Sequence, residues 1–373
     1  MGELYGHHTL RQILVSHGIR SNKWSKVYKS LTLKQIEDSV SLILRQVLKD
    51  ELICLARKSE STWSRHEVTI VADDSIFKQW LSGEMNGVEK TLSEQFFAKY
   101  FSGQTQTTVY GFRVTLIGVC LGGTFYPYTF QLSSKADNTR QVVCEQLESI
   151  HKFLCSIARE NELEYPNLFV SVDSGFDSIE LLDKCDELSK KMPIIPICVP
   201  KKTNKIEVGG QQMTIQQAID DGYIQLEKAE KEHFSFRVRV LLCKYNREVT
   251  LLLFRLNGSK KVSVIYTTDT NIKAKTLRRR WFQRTQIEQF FRLLKDTLKI
   301  QQSKVTNKEG FERKLWVFVF KALNCQLFRN YCRRRFRLLK GWAFTKLRQR
   351  ITFEGLEKDW LYRILIDSDS PFA

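Results

Sequence analysis

The sequence is short of the features that mark several large functional classes. Nine cysteines are present (Cys54, Cys120, Cys144, Cys155, Cys185, Cys198, Cys243, Cys325 and Cys332), yet none forms a Cys-x-x-Cys pair. Their odd number and their scatter through apolar runs predict reduced, buried thiols and argue against a zinc ribbon. The six histidines are scattered too, and His7-His8 has no second pair to complete a metal site. No apolar run approaches the roughly 18 residues that a membrane crossing needs, and the acidic start Met1-Gly2-Glu3-Leu4 is unlike a secretory signal. A cytoplasmic protein with no membrane partner is expected. Internal repeats and low-complexity linkers are also missing. The most telling shortage is of negative charge: between residues 271 and 350 only 4 Asp and Glu stand against 23 Lys and Arg. That stretch alone accounts for the net charge of +18 over 373 residues, and it calls for a polyanionic partner. Within it, Arg278-Arg279-Arg280 and Arg333-Arg334-Arg335 with Arg337 alternate with Trp316, Phe318, Phe320, Phe328, Tyr331, Phe336, Trp342 and Phe344. Most of these aromatics recur at helical spacing and read as core, whereas the arginines read as phosphate contacts.

One of those few acids is placed for chemistry. In the stretch from Trp281 to Lys295, at about 100° per residue, Trp281, Arg284, Arg292 and Lys295 fall within roughly 60° of Glu288 on a single helix. Ile287, Phe290, Phe291, Leu294 and Leu298 form the adjoining apolar stripe, so the helix can bury one side and hold a carboxylate among cations at the rim of a cleft. A solvated face with one Glu288–Arg292 pair would give the same pattern.

Two upstream runs weigh against that plainer explanation. Val68-Thr69-Ile70-Val71-Ala72-Asp73 and Leu168-Phe169-Val170-Ser171-Val172-Asp173 each read as a buried strand ending on an aspartate. The carboxyl ends of strands are where ligands bind in open α/β sheets. Three carboxylates without cysteine or histidine form a hard oxygen donor set that favours Mg²⁺ or Mn²⁺ over zinc. Two such ions about 3.5 to 4 Å apart serve in-line displacement at phosphorus, which means phosphodiester hydrolysis and transesterification. Asp73 could instead cap a helix over Ile76–Trp80. Asp74 competes with it as ligand, since alternation sends the two to opposite strand faces. Asp177 reads as a cap or first-turn acid of a helix over Ser178–Leu188. Gly175, two residues past Asp173, reads as permitting a tight turn.

On these residues the chain resembles the insertion-sequence family four transposases, the Asp-Asp-Glu type with a ribonuclease-H-like catalytic domain. That family's signature of Tyr, Arg, Glu and Lys falls on Trp281, Arg284, Glu288 and Lys295 with every spacing kept and tryptophan in the tyrosine's place. Asp173-Ser174-Gly175-Phe176 matches the surroundings of its second aspartate, and Asp73-Asp74-Ser75 those of its first, with Asp73 at the ligand position. The resemblance covers about residues 66 to 330 and implies a metal-dependent DNA transposase. Asp73, Asp173 and Glu288 would hold two Mg²⁺ ions, for which Mn²⁺ could substitute, and Arg284 and Lys295 would grip end phosphates. Trp281, Arg292, Arg278, Arg279 and Arg280 join the expected DNA contacts. The partners are double-stranded DNA, both transposon ends and target, and a second protomer in a homodimer on DNA, with the protein associated with the nucleoid. A domesticated DNA-binding protein without chemistry, or a hydrolytic nuclease on the same fold, stands as the alternative; retention of all three acids argues against the former.

The expected fold is α/β: a ribonuclease-H-like mixed sheet flanked by helices, interrupted by a β-rich insertion, with helical N- and C-terminal parts. Residues 1–65 read as a helical region that could bind a DNA end, with a helix from Thr32 to Leu48. Residues 66–200 read as the first part of the catalytic domain, including a hairpin of 109–119 and 124–132 joined at Gly122-Gly123, a helix over 138–158 and a strand over 194–199. Residues 201–267 form the insertion, with strands at 234–243, 247–256 and 261–267 and turns at Tyr245-Asn246 and Asn257-Gly258. Residues 268–330 carry the Glu288 helix, and 331–373 a basic helical end. The resembling family uses such an insertion to hold the transposon end with a flipped base. This insertion has no tryptophan, leaving Phe234, Phe236 and Tyr245 as weak wedges. That departure and Trp281 bear on hairpin-mediated cleavage more than on transposition itself.

Overall fold

A computed structural model describes residues 32–57, 68–78, 96–102, 106–164, 168–224, 235–255, 262–302, 305 and 307–335. Expectations for residues 1–31, for Phe234, for Asn257-Gly258 and for Phe336, Arg337, Trp342 and Phe344 lie outside them, as do the side chains of Phe328, Tyr331 and Arg333–Arg335.

Helix α1 (Leu33–Arg57) opens where Thr32 allows it. The Thr32 hydroxyl accepts from the Gln35 backbone N–H at 3.2 Å, and the Gln35 side chain accepts from the Thr32 N–H at 3.1 Å. This reciprocal box satisfies two helix-end donors. Val40, Leu44, Val47, Leu48 and Leu52 then recur at three or four residues and are buried, against β4 and the long helix α7 introduced below.

The sheet begins with β1 (Thr69–Lys78), β2 (Phe97–Ser102), β3 (Thr107–Leu121) and β4 (Thr124–Ser133). Gly122 and Gly123 both take positive φ, 53° and 82°, and close the β3–β4 hairpin as its spacing predicted. Helix α2 (Thr139–Glu160), capped by the Asn138 side chain, leads to β5 (Leu168–Val172). Helix α3 (Ile179–Ser189) leads on to β6 (Ile194–Cys198). β1 pairs parallel with β5 and β5 parallel with β6, while β3 runs antiparallel to β1 and β4 antiparallel to β3. The order β4-β3-β1-β5-β6 with one antiparallel inner strand is the ribonuclease-H-like sheet. β2 lies along the edge of β3 at Thr107–Phe112, and β4 along the same edge from Arg113 onward.

Beyond β6 the sheet does not stop. β7 (Lys205–Val208), β8 (Gln211–Thr214), the short α4 (Ile215–Asp220), β9 (Ser235–Leu242), β10 (Arg247–Arg255) and β11 (Val262–Thr267) follow in sequence. The order β6-β11-β10-β9-β7-β8 continues one eleven-stranded sheet. The strand-rich stretch thus docks on the same sheet through an antiparallel β11–β6 pair at Tyr266↔Cys198. Asn246, at φ 49°, occupies the expected β9–β10 turn. The β7–β8 hairpin was not anticipated, because its strands are four residues long and polar on one side.

Three expectations about local structure need correction. β1 does not end at Asp73, nor does a helix begin at Ile76: the strand continues to Lys78 because Ser75, Ile76 and Phe77 keep their register with β3. The stretch around Glu288 is not one helix. α5 (Ala274–Phe282) ends in a tight turn at Gln283-Arg284, and α6 (Thr285–Arg292) starts afresh before a π-helical turn over Leu293–Thr297. The two pieces bury their stripes on different ground: α5 packs Leu277 and Trp281 against Phe254 and its neighbours, while α6 packs Ile287, Phe290 and Phe291 into the principal core. Gly175, finally, has no positive φ, and a side chain there would meet open space, so the turn after Asp173 does not require glycine. A 3₁₀ turn (Ile300–Gln302) and α7 (Lys308–Arg335) complete the described chain. Trp316 and Phe318 of α7 are buried, as their spacing suggested, and Phe320 is half-buried.

Candidate active site

Register brings the first two acids together. The last rung of the parallel β1–β5 pair is Ala72↔Val172, so Asp73 and Asp173 leave that rung side by side. Alternation along β1 then sorts the side chains. Asp73, Ser75 and Phe77 share the face that meets α6 and the π-helical turn, where Phe77 packs edge-on to Phe291 at 6.0 Å. Asp74 points the other way and is held by Arg113 of β3, whose Nε donates to Asp74 Oδ2 at 2.6 Å. Arg113 also donates to Thr139 at the start of α2. Geometry therefore favours Asp73 over Asp74 as the acid facing the cleft.

Glu288 reaches the same place through Arg284. The Arg284 guanidinium contacts three carboxylates: Nη2 to Glu288 Oε1 at 2.6 Å, Nη1 to Asp73 Oδ2 at 3.4 Å and Nη1 to Asp173 Oδ2 at 3.9 Å. The three acids, separated by 100 and 115 positions in the chain, thus share one cation. Arg284 itself is held by the turn between α5 and α6. Gln283 accepts a hydrogen bond from the Thr69 hydroxyl through its side chain and one from Cys120 Sγ through its carbonyl at 3.3 Å. Thr69 and Cys120 face each other across the β1–β3 ladder, so the base of the sheet fixes the turn that carries Arg284.

Electrostatics at this point are strained by burial. The Asp73 carboxyl is pushed up to about 7, above all by desolvation, with the charges of Asp74 and Asp173 adding to the shift and Arg284 opposing it. Its second oxygen, Oδ1, accepts from the Asp74 N–H at 2.9 Å. Asp173 is nearer to solvent and accepts from the Ser174 N–H at 2.7 Å. Lys295, on the π-helical turn, donates to Ser75 Oγ at 2.6 Å and lies over the Phe77 ring. Burial pushes its ammonium below the ordinary lysine range, with Asp296, Asp73 and Asp74 opposing.

The remaining expected residues separate. Trp281 lies in the last turn of α5, half-buried and edge-on to Phe254 at 6.1 Å, with the Arg284 guanidinium 5.5 Å from its ring centre. It is therefore both a core aromatic and a wall of the acid cluster. Arg292 and Arg279 are exposed and Arg278 is half-buried. Arg280 is buried, its guanidinium 4.5 Å from the centre of the Phe169 ring, which removes it from the surface available to phosphate. Asp177 is not the cap of α3; Ser178 is, its hydroxyl accepting from the Leu181 N–H at 3.3 Å. Asp177 instead lies buried and accepts a hydrogen bond from the Tyr266 hydroxyl, tying the turn after Asp173 to β11. Arg113, Ser75, Gln283 and Tyr266 were not singled out in the sequence. Gln283 and Ser75 sat inside or beside quoted motifs, but nothing in a linear pattern marks Arg113 or Tyr266.

As a donor set the acids suit a hard divalent cation: all oxygen, with neither imidazole nor thiolate among the groups on Arg284. Among the described residues, no three acid, histidine or cysteine side chains stand close enough to share an ion as they are.

The family called transposase DDE domain matches residues 90–325, well over half of the chain, a span that takes in Asp173 and Glu288 and begins after Asp73. No curated protein matches. Among solved structures, a cryo-EM structure of a piggyBac transposase synaptic complex with hairpin DNA is 10% identical, with a TM-score of 0.41. The match covers 87% of this chain and 60% of that one. No helix among the described residues is long and apolar enough to cross a membrane. With its acids paired by strand register and its matched span reaching across the sheet and the Glu288 helix, the chain belongs to the transposase DDE domain family.

Proposed function

We propose that the protein is the transposase of an insertion sequence, which binds terminal inverted repeats, cuts DNA strands with the help of divalent ions and joins the freed 3′ hydroxyl to target DNA. The observation that carries this reading is the convergence of Asp73, Asp173 and Glu288 on the single guanidinium of Arg284. Those three carboxylates would hold Mg²⁺, or Mn²⁺ in its place. Bound there, the ions would lower the pKa of the attacking hydroxyl or water and stabilise the charge that grows on the leaving oxygen.

The chain's own residues position and screen the reacting strand. Lys295, held against Ser75 one residue beyond Asp74, presents a cation beside the acid cluster for an end phosphate. Arg284 is the second such cation. Arg278 and Arg279 on α5 and Arg292 on α6 extend the basic surface along the duplex and set register without reading sequence. Trp281 abuts Arg284 and gives the cleft an apolar wall against which the strand end can lie. Two DNA ends need two active sites, so the working form is a homodimer on DNA. The strand-rich segment from 201 to 267 serves as the family's insertion, and 268–330 returns the chain to the catalytic unit.

Strand transfer with oligonucleotides that carry the element's own ends tests the proposal. Joining to a target duplex in Mg²⁺ is expected from the native protein and none from Glu288→Gln, which should still shift the DNA in a gel. Hydrolysis without joining would instead make the protein a nuclease, and binding without either would make it a silent DNA-binding descendant.

A further inference from the structure

Resting on the metal-dependent reading above, the geometry points to Arg284 as a latch that keeps divalent ions out of the acid cluster until a DNA phosphate draws the guanidinium away. Asp73 and Asp173 each give Oδ1 to a backbone N–H, and the oxygens left to meet an ion, Asp73 Oδ2 and Asp173 Oδ2, are ones that Arg284 engages through Nη1, as it engages Glu288 Oε1 through Nη2. A cation arriving from solution must therefore displace a guanidinium whose side chain is only 12% exposed. A buried charge that already satisfies three acids competes strongly, since ion pairing gains strength as water is excluded.

The latched arrangement is itself incomplete. Arg284 Nε and the neighbouring Trp281 Nε1 are buried N–H donors with no acceptor among the described residues. An unmet buried donor is costly, and the two lie side by side, 5.5 Å separating the guanidinium from the ring. A phosphate oxygen entering there can take a bidentate pair from Arg284, including Nε, which the carboxylates do not use. When the guanidinium leaves, the three acids keep only Lys295 as a nearby cation, and a divalent ion relieves the repulsion that remains among them. DNA and metal thus bind cooperatively, each raising the affinity for the other by the same factor. The arrangement would limit cleavage to protein already on DNA.

Mn²⁺ titration of the full chain by calorimetry, with no DNA, tests the latch. Arg284→Gln is expected to bind Mn²⁺ roughly tenfold or more tightly than the native protein, and Asp173→Asn in that background to abolish the gain. Equal or weaker Mn²⁺ binding by Arg284→Gln would overturn the latch while leaving the metal site standing. No Mn²⁺ binding that depends on Asp173 in either protein would sink the metal reading and the latch together. Because unlatched acids can loosen the fold, thermal melts accompany the titration: Arg284→Gln should melt below the native protein without Mn²⁺ and gain more from Mn²⁺ than the native protein does. An equal gain would count against the latch. A short DNA duplex of arbitrary sequence should raise the Mn²⁺ affinity of the native protein and leave that of Arg284→Gln unchanged; failure to raise the former would overturn the coupling to phosphate.

Discussion

Two clusters of acid and arginine in this molecule look alike in a list of ion pairs and differ in every consequence. Where the β1–β5 pairing ends, Asp73, Asp173 and Glu288 share the largely buried Arg284. Across the sheet, Arg247 of β10 takes Asp183 and Asp186 of α3 through separate nitrogens, both acids more than half exposed. The second cluster balances its charges in water, where such pairs contribute little. The first crowds three carboxylates onto one cation and buries one of them until its carboxyl titrates near 7. Folding for stability alone does not require the first arrangement; the metal site proposed above does.

Predictions that test this contrast run from large to small. Glu288→Gln should abolish strand cleavage in Mg²⁺, while circular dichroism and DNA binding stay near native; retained cleavage would remove this carboxylate from the chemistry. Asp73→Asn should raise the stability of metal-free protein at pH 8 by up to a few kcal/mol, read from urea melts. The sign follows from the raised folded pKa. The native state holds its proton longer than the unfolded chain, so the stabilisation present below about pH 4 is lost as pH rises through about 7. Melts between pH 5 and 8 should therefore fall for the native protein and flatten for Asp73→Asn, and parallel curves would contradict the burial argument. Tyr266→Phe removes one of the two tyrosine side chains that hydrogen-bond the buried Asp177, Tyr245 keeping the other, and should cost about 1.5 kcal/mol of stability. Arg247→Ala, at the exposed cluster, should cost no more than about 1 kcal/mol, less in high salt; a larger loss would erase the distinction drawn between the two clusters.

Much of the catalytic half was readable because its signals are local and periodic. The runs ending at Asp73 and Asp173 are β-branched and apolar enough to be buried strands, and the Gly122-Gly123 hairpin carries its turn chemistry in two residues. Asp73 could be preferred to Asp74 only through resemblance; the structure adds the physical reason, since Arg113 on the neighbouring strand occupies Asp74. What could not be read was set by distant partners. The break at Gln283-Arg284 leaves no mark of glycine or proline, because it arises where α5 and α6 must bury their stripes against different parts of the sheet. The burial of Arg280 beneath Phe169 is invisible in a basic run that also contains the exposed Arg279. Asp177 resembles a helix cap in sequence and becomes a buried acceptor because β11 supplies Tyr266 from 89 residues away, with Tyr245 of the β9–β10 turn beside it.

Crystals of the protein soaked in Mn²⁺ in the presence of a DNA duplex, measured at the manganese absorption edge, put the central claim to its most direct test. Anomalous peaks bounded by residues 73, 173 and 288, with the guanidinium of residue 284 turned onto a phosphate, are the expected result. A map with no manganese among those carboxylates, the guanidinium still spanning all three beside bound DNA, would contradict it.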